Sequence, residues 1–387
     1  MKWDTIQLGE VLDVKHGYAF ESEFYADQGD YILLTPGNCN ESGGLKLKGD
    51  KEKFFTGEFP AEFLLNKDDM LVVMTDLINS APILGGSFLI PEDNKFLHNQ
   101  RLGLVEVTQP NRIDRQFLYY LFNTHGYRGQ VRGSASGATV RHTSPARIKA
   151  CTVRVPHDVS DQKRIGEALA VYDDLIENNR RRMALLQDAA RLLYQEWFIR
   201  LRFPGHTHTK IHNGIPEGWD RVPFEEALVL QRGFDLPETE WEEGGIPICG
   251  STGIIGYHNK LKAKGPGVFT GRSGSLGVVN FIEVDYWPHN TSLWVREFKR
   301  VSALFALFLL RNMRLEQYNG GVSVPTLDRK AIHRVPVLIP PSEMISRFDE
   351  KLNPVFAQIA NLRLQNQKLR TARDLLLPRI MSGEIEV

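Results

Sequence analysis

The chain has 387 residues and a mass of 44.0 kDa, too long for one small domain and long enough for two or three. Its 42% hydrophobic and 24% charged residues exclude wholesale disorder, and 47 Lys and Arg against 47 Asp and Glu neither advertise nor exclude a nucleic-acid partner. Three cysteines, Cys39, Cys151 and Cys249, stand too far apart for a CxxC metal site or a disulfide framework, and they fit a reducing cytoplasm.

The N-terminal MKWDTIQLGEVL carries no apolar stretch of signal-peptide type. It opens a first head with WDTIQLGEVLDVKHGYAF. A strand is expected over Met70 to Met74 and an amphipathic helix over Asp114 to Tyr127. The block GATVRHTSPARIKACTVRVP, Gly137 to Pro156, then leads into a long helix from near Asp161 to near Arg200. At about 1.5 Å per residue such a helix spans roughly 60 Å. Its stripe runs Leu169, Tyr172, Ile176, Asn179, Met183, Leu186, Ala190, Leu193, Trp197, alternating steps of three and four, which is a heptad seam. Arg180, Arg181 and Arg182 fan over the outer faces and read as a solvated charge run, with DNA-backbone attraction as the functional alternative. The linker from Phe203 to Gly218 is rich in Gly, Pro and His. His206, His208 and His212 lack a Cys or carboxylate cluster and read as solvated linker, not as a metal site.

The second half restarts the pattern. WDRVPFEEALVLQRGFDL aligns Trp219-Asp220, Leu228, Gly233 and Phe234 with Trp3-Asp4, Leu12, Gly17 and Tyr18 at one constant offset. A strand is expected over Gly277 to Ile282, and the apolar run Val301 to Leu310, too short to span a membrane, reads as part of a buried helix reaching Tyr318. GVSVPTLDRKAIHRVPVLIP, Gly321 to Pro340, matches the Gly137 block without a gap, pairing Val140 with Val324, Ile148 with Ile332 and Val153 with Val337. A second long helix, Ser342 to Ile380, carries the seam Leu352, Val355, Ile359, Leu362, Asn366, Leu369, Arg373, Leu376, Ile380. Pro354 predicts either a kink or a fresh start capped by Asn353. The polar exceptions are Asn179, Asn366 and Arg373; a seam Asn fixes register at some cost in stability.

No catalytic constellation stands out. Asn353-Pro354-Val355-Phe356 resembles a methyltransferase loop but lies in the seam without a cofactor loop. Asp349-Glu350-Lys351 lacks the upstream partner of a nuclease site. Gly271 to Gly277 fits neither phosphate-loop pattern; it reads as a tight strand-turn-strand exposing Arg272 and Ser273 and able to meet a DNA phosphate or guanine edge. No segment is strongly basic: residues 1–150 hold 16 Lys and Arg against 19 Asp and Glu. If the chain binds DNA, its cations must be focused on one face of each head, or partners must supply them.

The frame is thus repeated while the material inside each head differs. That frame, with Leu192 to Phe198 running into Arg202-Phe-Pro-Gly-His206, the ending Leu375 to Ile385, Leu97-His-Asn-Gln-Arg101, Trp287-Pro-His-Asn-Thr291 and Val324-Pro-Thr-Leu327, resembles the specificity (S) subunit of type I restriction-modification systems. The resemblance covers essentially the whole chain. It implies an α+β fold: two mixed α/β target-recognition domains separated by two long antiparallel coiled-coil helices, in an internal pseudo-twofold repeat. The domains would be 1–156 (first recognition domain), 157–202 (first helix), 203–218 (linker), 219–341 (second recognition domain) and 342–387 (second helix and tail).

The resemblance further implies a non-catalytic, cytoplasmic subunit. Each head would read one half of a split, asymmetric sequence in double-stranded DNA. The helices would set the gap and dock two modification (methyltransferase) subunits. Restriction subunits would add translocation and cleavage. The chain itself would hold no cofactor or metal; S-adenosylmethionine, ATP and Mg would sit on the partners, and no membrane is involved. Candidate DNA contacts are Asn79, Gln100, Arg101, Arg141 and His142 in the first head, and Arg272, Ser273, Asn290, Thr291 and Thr326 in the second. Arg can be bidentate to guanine, and Asn or Gln to adenine. Gln100, Arg101, Asn290, Thr291 and Thr326 belong to the motifs of the resemblance, which suits holding a fold or a phosphate better than choosing a base. The competing reading is a coiled-coil scaffold whose heads bind proteins. It predicts no salt-dependent DNA affinity. A self-contained enzyme ranks last.

Overall fold

The structure, a computed structural model, describes residues 1–321 and 325–387. The expected match of Val140 with Val324 lies outside the described residues. The chain forms two compact units, residues 1–179 with 364–387, and residues 180–363. Each unit holds one head and a stretch of both long helices.

In the first unit Trp3–Gln7 pairs antiparallel with Thr152–Pro156, so the opening and closing blocks of the head meet. A four-stranded antiparallel sheet follows, in the order Leu12–His16, Leu102–Val107, Met70–Val73, Ser87–Leu89. A second sheet joins Tyr25–Ala26, Phe54–Phe55, Tyr31–Leu33 and Phe96–Leu97. The helix expected over Asp114 to Tyr127 is two helices, Arg115–Phe122 and His125–Ser134. The break has a local cause. The Asn123 side chain turns to Ser87, accepting from its N–H at 3.1 Å, and Thr124 caps the second helix by accepting from Tyr127 N–H. Phe117, Leu118, Phe122 and Val131 form the core with Ile165 and Leu169 of the first long helix and Leu377, Ile380 and Met381 of the second. Each fully buried side chain of this size contributes about 1.5–3 kcal/mol.

The second unit repeats the frame. Asp220–Pro223 pairs antiparallel with Pro336–Ile339, and the sheet order is Leu228–Arg232, Ser292–Phe298, Gly267–Gly271, Val279–Ile282. In both units the sheet runs first, last, second and third strand of the four. A three-stranded sheet of Ile254–His258, Ile246–Cys249 and Trp287–Pro288 takes the place of the first unit's second sheet. The apolar run forms the helix Ala303–Asn312, capped by Ser302, with Leu304 to Leu310 buried. It stops short of the expected Tyr318 because Arg314 turns left-handed at φ 48°, leaving a separate turn at Leu315–Tyr318. The strand expected from Gly277 begins at Val279, since Gly277 itself has φ +86°.

The repeated glycines mark a close approach. Tyr18 N–H donates to His98 O at 2.9 Å, and Phe234 N–H donates to Pro288 O at 2.8 Å. A Cβ on Gly17 would overlap the carbonyls of His98 and Asn99, and one on Gly233 those of Pro288 and His289. The repeated tryptophans seat on the segments that follow the long helices. Trp219 packs on Phe203, ring centroids 5.1 Å apart, and Trp3 lies against Gly383, where a Cβ would come within 2.6 Å of its indole nitrogen.

The first long helix is Val159–Tyr194, ending in a π-helical turn at Gln195–Ile199 short of Arg200. The second is Ser342–Met381 and runs unbroken through Asn353 and Pro354, so Asn353 starts no new helix. Of the seam residues Leu169, Ile176, Leu352, Ile359 and Leu362 are buried, and Met183, Leu186, Leu193, Leu369 and Leu376 half-buried. Buried Asn179 donates its amide to buried Asn366 Oδ1 at 2.9 Å, and Asn366 donates to Ile176 O at 3.2 Å. Arg373 bonds Asp173, whose carboxylate also accepts from Tyr120 OH at 2.7 Å. Though burial opposes it, the charges of Asp173 and Asp374 raise the Arg373 pKa further. In residues 180–363, Phe198 and Phe348 meet at 5.0 Å, and Phe356 packs on Phe308.

Candidate DNA interface

In the first head the candidates gather at one end of the four-stranded sheet. Met74 N–H donates to Arg101 O at 3.0 Å, and Met74 O accepts from Thr143 N–H at 2.9 Å, which holds the stretches around Arg101 and His142 on either side of Met74. The short strand Thr75–Asp76 continues from there and pairs with Arg141–His142. Gln100, Arg101 and His142 are exposed. The His142 Nδ1 lies 3.0 Å from Thr75 Oγ1, which orients the ring. Arg141 is half-buried, and its guanidinium donates to Arg132 O, near the C-terminal end of a helix, at 3.0 Å; that part of Arg141 serves the fold. Asn79 is exposed in the loop after Asp76.

All five second-head candidates converge. Arg272 N–H donates to Thr291 O at 2.8 Å, its Nε donates to Asn290 O at 2.8 Å, and its own carbonyl accepts from Leu327 N–H at 2.9 Å. Ser273 bridges Thr326. Thr291 Oγ1 lies 3.0 Å from His289 Nδ1. These bonds repeat those of the first head position by position: Arg272 stands where Met74 does, Thr291 where Arg101 does, and the Ser273–Thr326 pair where Thr75–His142 does. Arg272 and Ser273 are half-buried, not exposed as the turn alone suggested, because the backbone around Thr291 and Thr326 closes over both sides.

Three contributors escaped sequence reasoning. Asp76 is buried, and its carboxylate accepts from Ile78 N–H at 3.0 Å and Ile83 N–H at 2.8 Å, bracing the loop that carries Asn79. Arg128 is a buried guanidinium bonded to the carbonyls of Glu41 and Pro82, at the far side of that loop; burial lowers its pKa. Asp235 accepts from the Asn290 amide, and this bond holds its carboxyl below the ordinary range. The one sequence signal was an acidic residue, Asp76, two positions past the apolar strand expected over Met70 to Met74. The other two needed long-range contacts.

His206, His208 and His212 are exposed, and among the described residues no group of three or more His, Cys, Asp or Glu is placed to hold a metal. Among them, too, no helix is long and apolar enough to cross a membrane.

The chain matches the family described as "Type I restriction modification DNA specificity domain" over residues 1–187 and 216–369, one stretch in each half. It belongs to that family of type I specificity subunits. Among its relatives, the type I restriction enzyme MjaIX specificity subunit of Methanocaldococcus jannaschii is 24% identical over 80% of this chain and 77% of its own. The putative specificity subunit S.MpnORF638P of Mycoplasma pneumoniae is 25% identical over 64% of this chain and 59% of its own. The crystal structure of the type I restriction-modification S subunit from M. genitalium superposes with a TM-score of 0.57 at 18% identity, covering 97% of this chain and 95% of that one. The α+β, two-domain architecture is therefore that of an S subunit.

Proposed function

We propose that this chain is the non-catalytic DNA-specificity subunit of a type I restriction-modification complex, and that each head reads one half of a bipartite, asymmetric target. The observation that carries the reading is the pair of equivalent clusters. The backbone bonds around Met74, Arg101 and His142 recur around Arg272, Thr291 and Thr326, while the side chains differ. A constant frame presenting variable donors suits two heads with two different half-sites.

The recognition domains are residues 1–156 and 219–341, with the first spacer helix within 157–202, a linker at 203–218, and the second spacer helix and C-terminal tail at 342–387. The helices form an antiparallel coiled coil within a pseudo-twofold repeat and set the gap between half-sites. Supporting this, the pairs Asp173–Arg373 and Asn179–Asn366 run antiparallel within one unit, and Tyr194 and Trp197 meet Phe348 within the other. The helices also dock two adenine-methyltransferase subunits. Exposed Leu192 and Leu375, each immediately before a seam leucine, support that role. S-adenosylmethionine, ATP and Mg belong to the modification and restriction partners.

The test is methylome mapping. The chain is co-expressed with its neighbouring modification subunit in a host free of other DNA methylation, and methyladenine is mapped by long-read sequencing. The reading expects a split motif with a fixed gap, methylated on both strands and absent without this chain. A soluble complex that yields no motif and no sequence-preferring DNA binding overturns it.

A further inference from the structure

Both heads place a consecutive pair of exposed aliphatic residues against the polar cluster. In the first head Leu77 and Ile78 are 61% and 57% exposed. They sit on the loop after the Thr75–Asp76 strand, between the Arg141–His142 pairing and Asn79. The loop is not slack, because the buried Asp76 carboxylate takes the Ile78 and Ile83 N–H groups. In the second head Ile254 and Ile255 are 52% and 42% exposed. They follow a turn closed by Gly250 N–H donating to Gly253 O at 2.8 Å. A Cβ on Gly250 would lie 2.8 Å from Ile255 Cγ2 and 3.4 Å from Thr291 Oγ1, so this turn abuts the Arg272–Thr291 cluster.

A single exposed leucine needs no explanation. Two braced aliphatic pairs, each beside the candidate base contacts of its own head, call for an apolar partner presented next to hydrogen-bonding groups and negative charge. Exposed Arg101 stands at the first cluster and Arg272 at the second, which suits phosphate. In the DNA major groove the apolar feature on the base edges is the thymine C5-methyl group, and it adjoins the adenine N6 and N7 that Asn or Gln reads. We propose that Leu77–Ile78 and Ile254–Ile255 are thymine-reading elements, one per half-site, packing on C5-methyl groups in the major groove. Asp76 is the positioning residue for the first. This inference rests on the DNA-specificity reading above.

The experiment uses the complex of this chain with its modification subunit and duplexes carrying the mapped target, in which each thymine is replaced in turn by uracil. Uracil removes only the methyl. At least one replacement in each half-site is expected to weaken binding about fourfold, the equivalent of about 0.8 kcal/mol for one buried methyl. The double variant Leu77→Ala with Ile78→Ala abolishes the uracil penalty in one half-site and keeps it in the other. Ile254→Ala with Ile255→Ala does the reverse. Because each head has its own core, the altered head is shown to be folded by the variant still preferring its own half-site over a scrambled sequence at that half-site. Uracil penalties that survive both double variants, a target insensitive to uracil, or a half-site without an A·T pair each overturn the inference and leave the specificity reading standing. A complex that binds its mapped target no better than a random duplex overturns both.

Discussion

At Gly233 the reason for a repeated residue is a backbone crossing. Two residues past the strand Leu228–Arg232, Phe234 N–H donates to Pro288 O, and the approach leaves no room for a Cβ against the Pro288 and His289 carbonyls. Gly233→Ala is expected to destabilise the chain by about 3 kcal/mol, because the obstructing atoms are backbone and cannot rotate away. Exposed Gly245 has nothing within reach of an added Cβ, and Gly245→Ala should stay within about 0.5 kcal/mol. Urea unfolding of both variants checks this, and equal midpoints would sink the explanation. The same crossing sets Asn290 and Thr291 beside Arg272, so a glycine that touches no ligand shapes the candidate interface.

Among the elements, the two long helices carry the informative exceptions. Their seams are apolar except where Asn179 meets Asn366 and where Arg373 meets Asp173. A buried amide pair contributes little net stability but makes one register better than its neighbours. Asn366→Leu alone takes the 2.9 Å partner from the buried Asn179 amide, leaving it only the long 3.5 Å bond to Gln365 Oε1, and is expected to cost about 2 kcal/mol. Replacing both with Leu removes both polar groups and should recover that loss or exceed the parent stability. A double-mutant cycle by thermal or denaturant unfolding reads the coupling, and additive effects would show that the two amides act independently. The sequence displayed both exceptions, but their pairing required knowing that the helices run antiparallel there.

For the whole molecule, the compact units do not follow chain order. Residues 364–387 complete the unit that begins at Met1, supplying Leu377, Ile380 and Met381 to its core. Residues 180–199 and 342–363 do the same for the second, through Tyr194, Phe198, Phe348 and Leu352. On the proposed function, the helices act as a ruler. Inserting seven residues after Asn179 and seven after Arg363, which keeps the Asn179–Asn366 pair and each compact unit intact, lengthens both by about 10.5 Å. That corresponds to about three base pairs of B-DNA at 3.4 Å each. The mapped methylation motif should then keep both half-sites and widen its gap by about that amount. Altered half-sites with an unchanged gap would break the division between heads and helices.

The duplicated frame, the two seams, the polar exceptions and the family were legible in the amino-acid order, because periodicity and repetition are properties of a string. So was the equivalence of His142 with Thr326, which the gap-free Gly137 and Gly321 blocks already imply. The split of the first head's helix at Asn123 was not, since that residue answers to Ser87 on a distant strand. Nor was the bracing of Leu77 and Ile78 by Asp76, the burial of Arg128, or the convergence of Arg272 with Asn290 and Thr291. Those depend on which strands become neighbours. Strand neighbours here are set by long-range packing of apolar faces, and no local pattern of residues records them.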